Sequence, residues 1–322
     1  MYWTFDFAAW DTRIAGAIEV GEKYDKIKLM DLEKRLKEET KNYEKICSRF
    51  DETSEITALN KKTGTECAVS KTLMDLLIAS QKAHIETNGI FDPTILPSLE
   101  SAGYDKTFPT LTSTNEITTN GKKHEDIIAG HLKRPLFDQI ILDEEHYSAY
   151  LPPSMQIDLG GIAKGHWVDY IVKTFFKGST SFWLSAGGDI YLQGQNEKNT
   201  SWDISLQDPF ELSKDLLFFK HNKSQQFGVA TSSTTKRKGV NSTGNWHHII
   251  DPCTGLPSKS DLVSASICAP SVVEADVYAK TAVILGSDQA CLFLSSRPNC
   301  EYLLVDVNKK IYNSPNLNIT YV

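Results

Sequence analysis

From Phe137 onward the chain is a succession of short β-rich runs, and strands following one another this closely limit the folds open to it more than any other feature. DQIILD, FWLSA, IYLQG, WDISLQ, LLFFK, HHII, LVSASIC and EYLLVDV are each four to seven residues long, and most are rich in β-branched, aromatic or other large apolar side chains. Helical patterns interrupt them near 162–176 and 274–285. Parallel partners need a crossover of about a dozen residues or more. Closely spaced strands therefore pair antiparallel, which predicts an α+β fold of largely antiparallel sheets with inserted helices and not a doubly wound sheet. Within LVSASIC, Val263, Ala265 and Ile267 alternate with Ser264 and Ser266, the period of a strand with one buried face.

The first half has a different periodicity. Ile27, Met30, Leu32, Leu36, Tyr43 and Ile46 recur at helical spacing from Asp25 to about Cys47, among many Lys and Glu residues that form a solvated face. A second helix is predicted to open on Ser70 as its N-cap, to carry Leu73, Leu76, Leu77 and Ala83, and to stop near Asn88-Gly89. The polar stretch 105–131 reads as a surface excursion. No internal repeat or low-complexity linker divides residues 1–322, so they read as one unit, and 40% hydrophobic residues supply a core without metal or disulfide staples.

Charge and cysteine usage exclude several functions. A net charge of -7 argues against nucleic-acid binding, which demands clustered Lys and Arg. The short basic run Lys236, Arg237, Lys238 reads as a solvated loop tip. Six cysteines with no C-x-x-C pair fit free thiols in a reducing compartment. The N-terminus carries Asp6, Asp11 and Arg13 within its apolar stretch and is not a signal peptide, and no run approaches the ~20 apolar residues that span a bilayer. A cytoplasmic protein with no membrane insertion is expected, or an exported one whose export segment has been removed.

Four segments carry chemistry. MQIDLGGIAKG (155–165) places Asp158, two glycines and Lys164 at a strand-to-helix turn, where backbone N–H groups and the helix dipole favour an anion such as a diphosphate; helix packing is the other use of such glycines. SAGGDIYLQG (185–194) puts Asp189 beside a second glycine pair, which serves as a plain turn, an anion-binding nest or room for a flat ring. NWHHIIDPCTG (245–255) offers His248, a structural histidine or a base of near-neutral pKa, with His247 on the opposite face. EADVYAKTAVILG (274–286) reads as a mostly buried helix with Asp276 and Lys280 on one face, either an ion pair or a carboxylate for which Mg²⁺ and Lys280 compete.

In this order, and together with CSRFDETSEITALN (47–60), TNGIFDPTILPSLESAGYD (87–105) and GVATSS (228–233), these segments resemble the FAD:protein FMN transferase family, long labelled thiamine biosynthesis lipoproteins, from about residue 10 to 290. The resemblance implies a flavin-transferase (T-fold-like) architecture forming a single catalytic unit. It implies that FAD and Mg²⁺ bind, that a Thr or Ser hydroxyl of an acceptor flavoprotein attacks the FMN-side phosphorus, and that AMP leaves. Carried onto this sequence, Phe50, Ile90, Phe91 and Asp92 are flavin- or adenine-side contacts, while Asp158, Lys164 and Ile250 face the ligand. The Gly161 backbone oxygen and the Asp276 carboxylate reach the magnesium, and His248 is the base.

Two positions depart from the family pattern. Lys280 stands where the family has a Thr that helps hold the metal, so either magnesium is held by fewer groups or Lys280 replaces part of its charge at the diphosphate. AWDT (9–12) stands where a Met-Gly-Thr segment lies against the flavin, and Trp10 is expected to stack on the ring instead. The alternative to transfer is a protein that binds FAD, or hydrolyses it to FMN and AMP, and has lost transfer.

Overall fold

Eight strands form one sheet whose order in space is their order in the chain: Tyr2–Ala9, Thr12–Glu19, Phe182–Ala186, Asp189–Gln193, Phe227–Ser233, Leu262–Ala269, Glu301–Asp306 and Ile311–Asn313. Every neighbouring pair is antiparallel. The computed structural model describes residues 1–21, 26–105, 117–118, 124–198, 200–220, 226–241, 244–317 and 319–321. All other described elements except the strand Ile319–Tyr321, which follows the last one, are inserted between consecutive strands of this meander, which is the α+β architecture expected from closely spaced strands. Two of its hairpins close on two-residue turns with positive φ, Trp10-Asp11 at 54° and 52° and Gly187-Gly188 at 66° and 100°, whose twist matches that of the strands.

The helices are α1 (Lys26–Cys47), α2 (Glu55–Lys61), α3 (Lys71–Glu86), α4 (Leu96–Ala102), α5 (His124–His131), α6 (Ala163–Phe175), α7 (Val272–Leu285) and α8 (Ser287–Ser295). Ser70 caps α3 by accepting from the Leu73 N–H at 3.1 Å, and the chain leaves that helix through Asn88 and Gly89, both at positive φ. The predicted helix near 274–285 starts two residues earlier, because Ser271 caps α7 through the Glu274 N–H.

Three readings change. Leu262–Ala269 is buried at all eight residues, not on one face. Ala265, Ile267 and Ala269 join the main core with α6 and α7, while Val263 and Cys268 join a second core with Leu206, Leu217 and Phe219 of a small sheet formed by Asp203–Gln207, Asp215–Lys220 and Ile319–Tyr321. A bulge between Leu262 and Ser264 turns Val263 away from the face that strict alternation assigned to it. The run HHII is mostly not strand: Gly244–His247 is, and Ile250 makes an isolated bridge to Pro257. Much of the surface excursion lies outside the described residues, but its end is α5, which buries Ile127 and His131. His131 pairs with Ser98 Oγ at 2.9 Å and with the Pro252 carbonyl at 2.6 Å, tying α5 to α4 and to the DPCTG turn.

α7 lies close on the sheet because Gly228 has no side chain. A Cβ there would sit 2.4 Å from the Val272 nitrogen and 2.5 Å from the Ser271 carbonyl carbon, both backbone atoms of the α7 N-terminus. Gly165 of α6 meets the same turn, with a Cβ placed 3.0 Å from the Val272 oxygen. Gly228→Ala is therefore expected to destabilise the fold by at least about 2 kcal/mol, since backbone cannot move aside as a side chain can. Urea denaturation checks this, and an unchanged midpoint would mean that α7 is not held at this distance.

Candidate active site

One end of the large sheet gathers the Gly187-Gly188 turn, the residues around 231–235, the bulged strand at Ser264, the N-terminus of α6 and the later turns of α7. They enclose a cleft of about 340 Å³. The segment around Phe50, the 90–95 loop, Tyr104, the small sheet and the strip from His248 to Ile250 complete its walls.

Within this frame the residues singled out from the sequence come together, with one exception. Phe50, Ile90, Phe91, Asp92, Asp158, Gly161, Lys164, His248, Ile250, Asp276 and Lys280 all line the cleft. Trp10 does not. Its indole donates to the Thr40 carbonyl at 3.2 Å and meets Trp167 edge-on at 5.2 Å, because the hairpin tip turns it toward α1 and α6. The cleft side of that hairpin is Thr12.

The IFDPT and IDLGG segments are joined through backbone, Asp158 N–H donating to the Pro93 carbonyl at 2.8 Å. The Asp158 carboxylate accepts from Gly160 N–H at 3.2 Å, which shapes the glycine turn, and pairs with Arg49 Nε at 3.3 Å. Arg49 in turn lies over Phe50 at 4.1 Å and Tyr104 at 4.6 Å, and the two rings, inclined at 64° to each other, give the cleft an aromatic wall. Asp92 has its carboxylate engaged by Thr94 and Arg134, so it supplies shape and no free acceptor.

The charges are organised as ion pairs. Lys164 contacts Asp189 and Lys280 contacts Asp276, the two carboxylates being 5% and 3% exposed. Burial works against the Lys164 ammonium, yet the charges of Asp189 and Asp276 outweigh it and raise its pKa. Gly161 and Asp276, 115 positions apart in sequence, meet at Lys280: a Cβ on Gly161 would lie 3.4 Å from Lys280 Cε.

The residues present do not fit the magnesium site that the resemblance implied. The Lys280 ammonium already occupies one oxygen of Asp276, and the other is enclosed without a partner among the described residues. At about 4 Å a dication and an ammonium repel by on the order of 8 kcal/mol at the effective dielectric of a half-buried site, a cost that a metal at the remaining Asp276 oxygen would carry. Thr281 offers no replacement, its hydroxyl donating to the Val277 carbonyl at 2.9 Å. Among the described residues no group of three or more His, Cys, Asp or Glu is placed to hold a metal.

His248 is half-buried, with Nδ1 enclosed and without a partner among the described residues. Burial, then Arg237, His247 and Lys280, depress its pKa well below 6.5, so it is neutral at physiological pH. His247 points elsewhere, Nε2 reaching the Ser258 carbonyl at 2.9 Å.

Sequence reasoning missed two groups. Lys236 and Arg237 form the expected tip, Lys236 staying exposed, but the tip borders the cleft, because the chain turns there between Phe227–Ser233 and Lys238–Asn241. Arg49 and Tyr104 sit inside the SRF and GYD segments, and an arginine next to an aromatic residue was the available signal.

A family model described as the ApbE family matches residues 10–304. The FAD:protein FMN transferase of Treponema pallidum (strain Nichols) is 26% identical over 281 residues, 83% of this chain and 75% of that protein. That of Klebsiella pneumoniae (strain 342) is 30% identical over 183 residues, 56% of this chain and 54% of its own length. The crystal structure of the ApbE protein from Thermotoga maritima superposes with a TM-score of 0.83 at 23% identity, covering 98% of this chain and 97% of that one. The flavin transferase ApbE from Vibrio cholerae does so at 0.79 and 19%, with the same coverage. The fold is the α+β architecture of those proteins.

His131, His247 and His248 are all held below the ordinary histidine value of 6.5, mainly by burial. The unfolded chain thus takes up protons that the folded chain refuses. Their contribution to stability is complete above pH 6.5 and is lost as the pH falls toward their depressed values. Unfolding free energy is expected to drop between roughly pH 7 and pH 5, and His131→Gln with His247→Gln to flatten that slope. A slope unchanged in the double variant would show that these two are not held neutral.

Proposed function

The chain belongs to the ApbE family, and from that premise we propose that it transfers the FMN half of FAD to a Thr or Ser hydroxyl of an acceptor protein and releases AMP. The observation that carries this reading is the single cleft, which sets the α6 N-terminus, two lysines and Arg237 beside the aromatic wall of Phe50 and Tyr104. A diphosphate between two flat rings needs cations and backbone N–H groups at its centre and stacking surfaces around it.

In the proposed step the acceptor hydroxyl oxygen forms a bond to the FMN-side phosphorus. The bond from that phosphorus to the bridging oxygen breaks, and the electron pair leaves with AMP. Transfer of this kind needs positioning and charge neutralisation more than covalent chemistry from the protein. The hydroxyl proton goes to His248, which lines the cleft and whose imidazole is neutral and so able to accept it. Arrival of the diphosphate offsets the positive field of Arg237 and Lys280, which raises the basicity of His248 against the burial that remains its larger depressant. Magnesium is left out of this reading because Lys280 already holds Asp276.

Incubation of the protein with FAD and a candidate acceptor domain tests it, following AMP release and acceptor mass. An FMN increment on the acceptor with matching AMP is expected. AMP and FMN without the increment mean hydrolysis, and intact FAD means binding alone. His248→Gln is expected to slow transfer at least about 100-fold while changing FAD affinity by less than about twofold. Unaltered transfer would remove His248 from the reaction.

A further inference from the structure

Lys280 holds the place at Asp276 that a metal ion would need. Both side chains leave one face of α7 and form an ion pair, and the methylenes of Lys280 run past Gly161, 3.4 and 3.5 Å from where a Cβ would lie. The lysine is thus confined between the glycine turn and its own helix. Its side chain is 21% exposed and lines the cleft, while its carboxylate partner is only 3% exposed. An ammonium fixed in this way has further N–H donors for a ligand.

Charge balance in the cleft points the same way. Arg49 with Asp158, Lys164 with Asp189 and Lys280 with Asp276 are neutral pairs. Lys236 and Arg237 also line the cleft, and among the described residues neither has a carboxylate partner. Two positive charges therefore remain, the number that a diphosphate linking two nucleosides carries as negative charge.

The geometry points to Lys280, with Lys236 and Arg237, as the resident counter-ion set of the substrate diphosphate: Lys280 takes a metal's place at Asp276 and donates to the phosphate, and the two unpaired cations balance its charge, so that neither binding nor transfer in this chain requires a divalent metal. This rests on the reading that the FAD diphosphate enters the cleft. Asp276 then serves as the anchor of the ammonium and not as a metal ligand, and Lys164 on Asp189 supplies the equivalent charge at the glycine turn.

The test measures FAD and ADP affinity for the full chain by equilibrium dialysis and flavin fluorescence, in EDTA and in millimolar MgCl₂. Wild-type affinities are expected to agree within about twofold in the two media. Lys280→Thr is expected to lose at least about tenfold in EDTA and to regain most of it with Mg²⁺, whereas Lys280→Met loses as much and regains nothing. A wild-type affinity that falls tenfold or more in EDTA overturns the assignment, and that comparison needs no variant to fold. Lys280→Thr binding as tightly as wild type in EDTA overturns it too. Metal-independent binding without AMP release or acceptor modification upholds the counter-ion and defeats the transfer reading. Failure of both nucleotides to bind in either medium defeats both.

Discussion

The contact on which the site depends is made by backbone. α7 can lie against Phe227–Ser233 and α6 only because Gly228 and Gly165 present no Cβ to its first turn. That approach sets the helix axis, and the axis decides where Asp276 and Lys280 project, one and two turns further along. It also fixes the glycine turn relative to α7, since Gly165 belongs to the helix that the turn opens. Asp169 reinforces the arrangement by accepting from the Val272 and Val273 N–H groups at 3.0 Å each, so that α6 caps the N-terminus of α7. Two cleft-lining segments more than a hundred residues apart are thereby held as one rigid surface.

On that surface each buried carboxylate is tolerable only because a cation is built beside it. An isolated buried ion costs several kcal/mol, and removing one partner leaves that cost uncompensated. Asp189 and Asp276 are therefore held by lysines that also reach the cleft, 23% and 21% exposed, where each can serve a ligand without abandoning its partner. Preorganised charge of this kind needs no rearrangement when the substrate arrives.

The sequence made the fold and most of the cleft legible because both rest on local signals. Close strand spacing, a Ser N-cap and the glycine pairs act within a few residues, and each stands in the structure where it was read, except that residues 155–159 before Gly160-Gly161 run as irregular chain and not as the expected strand. What failed depended on what the rest of the chain brings. Trp10 was assigned by position in a motif, but the positive φ of its turn and the Thr40 carbonyl direct the indole inward. Ser264 and Ser266 looked solvent-facing until a second sheet covered their side of the strand. Lys236 and Arg237 looked like an exposed tip because no local pattern tells that a loop folds over a cavity. The magnesium expectation failed differently: the decisive residue, Lys280, was visible, but whether its ammonium reaches Asp276 is a matter of geometry.

That ammonium also links affinity to reactivity. The field of Arg237 and Lys280 that attracts a diphosphate is the field that, with burial, depresses His248. In the empty cleft the imidazole is a weak base, which limits idle proton abstraction from water. Once two negative charges enter, the suppressing field is cancelled over the few ångströms where screening by solvent is least effective. In the proposed reaction the hydroxyl of the acceptor then meets a stronger base than water met before it. A metal ion in the same place would cancel less selectively, since its own double charge would remain beside His248 after the diphosphate had bound. A lysine offset by Asp276 leaves only the balance of the ligand and the two unpaired cations, which in that reaction would make proton removal conditional on substrate.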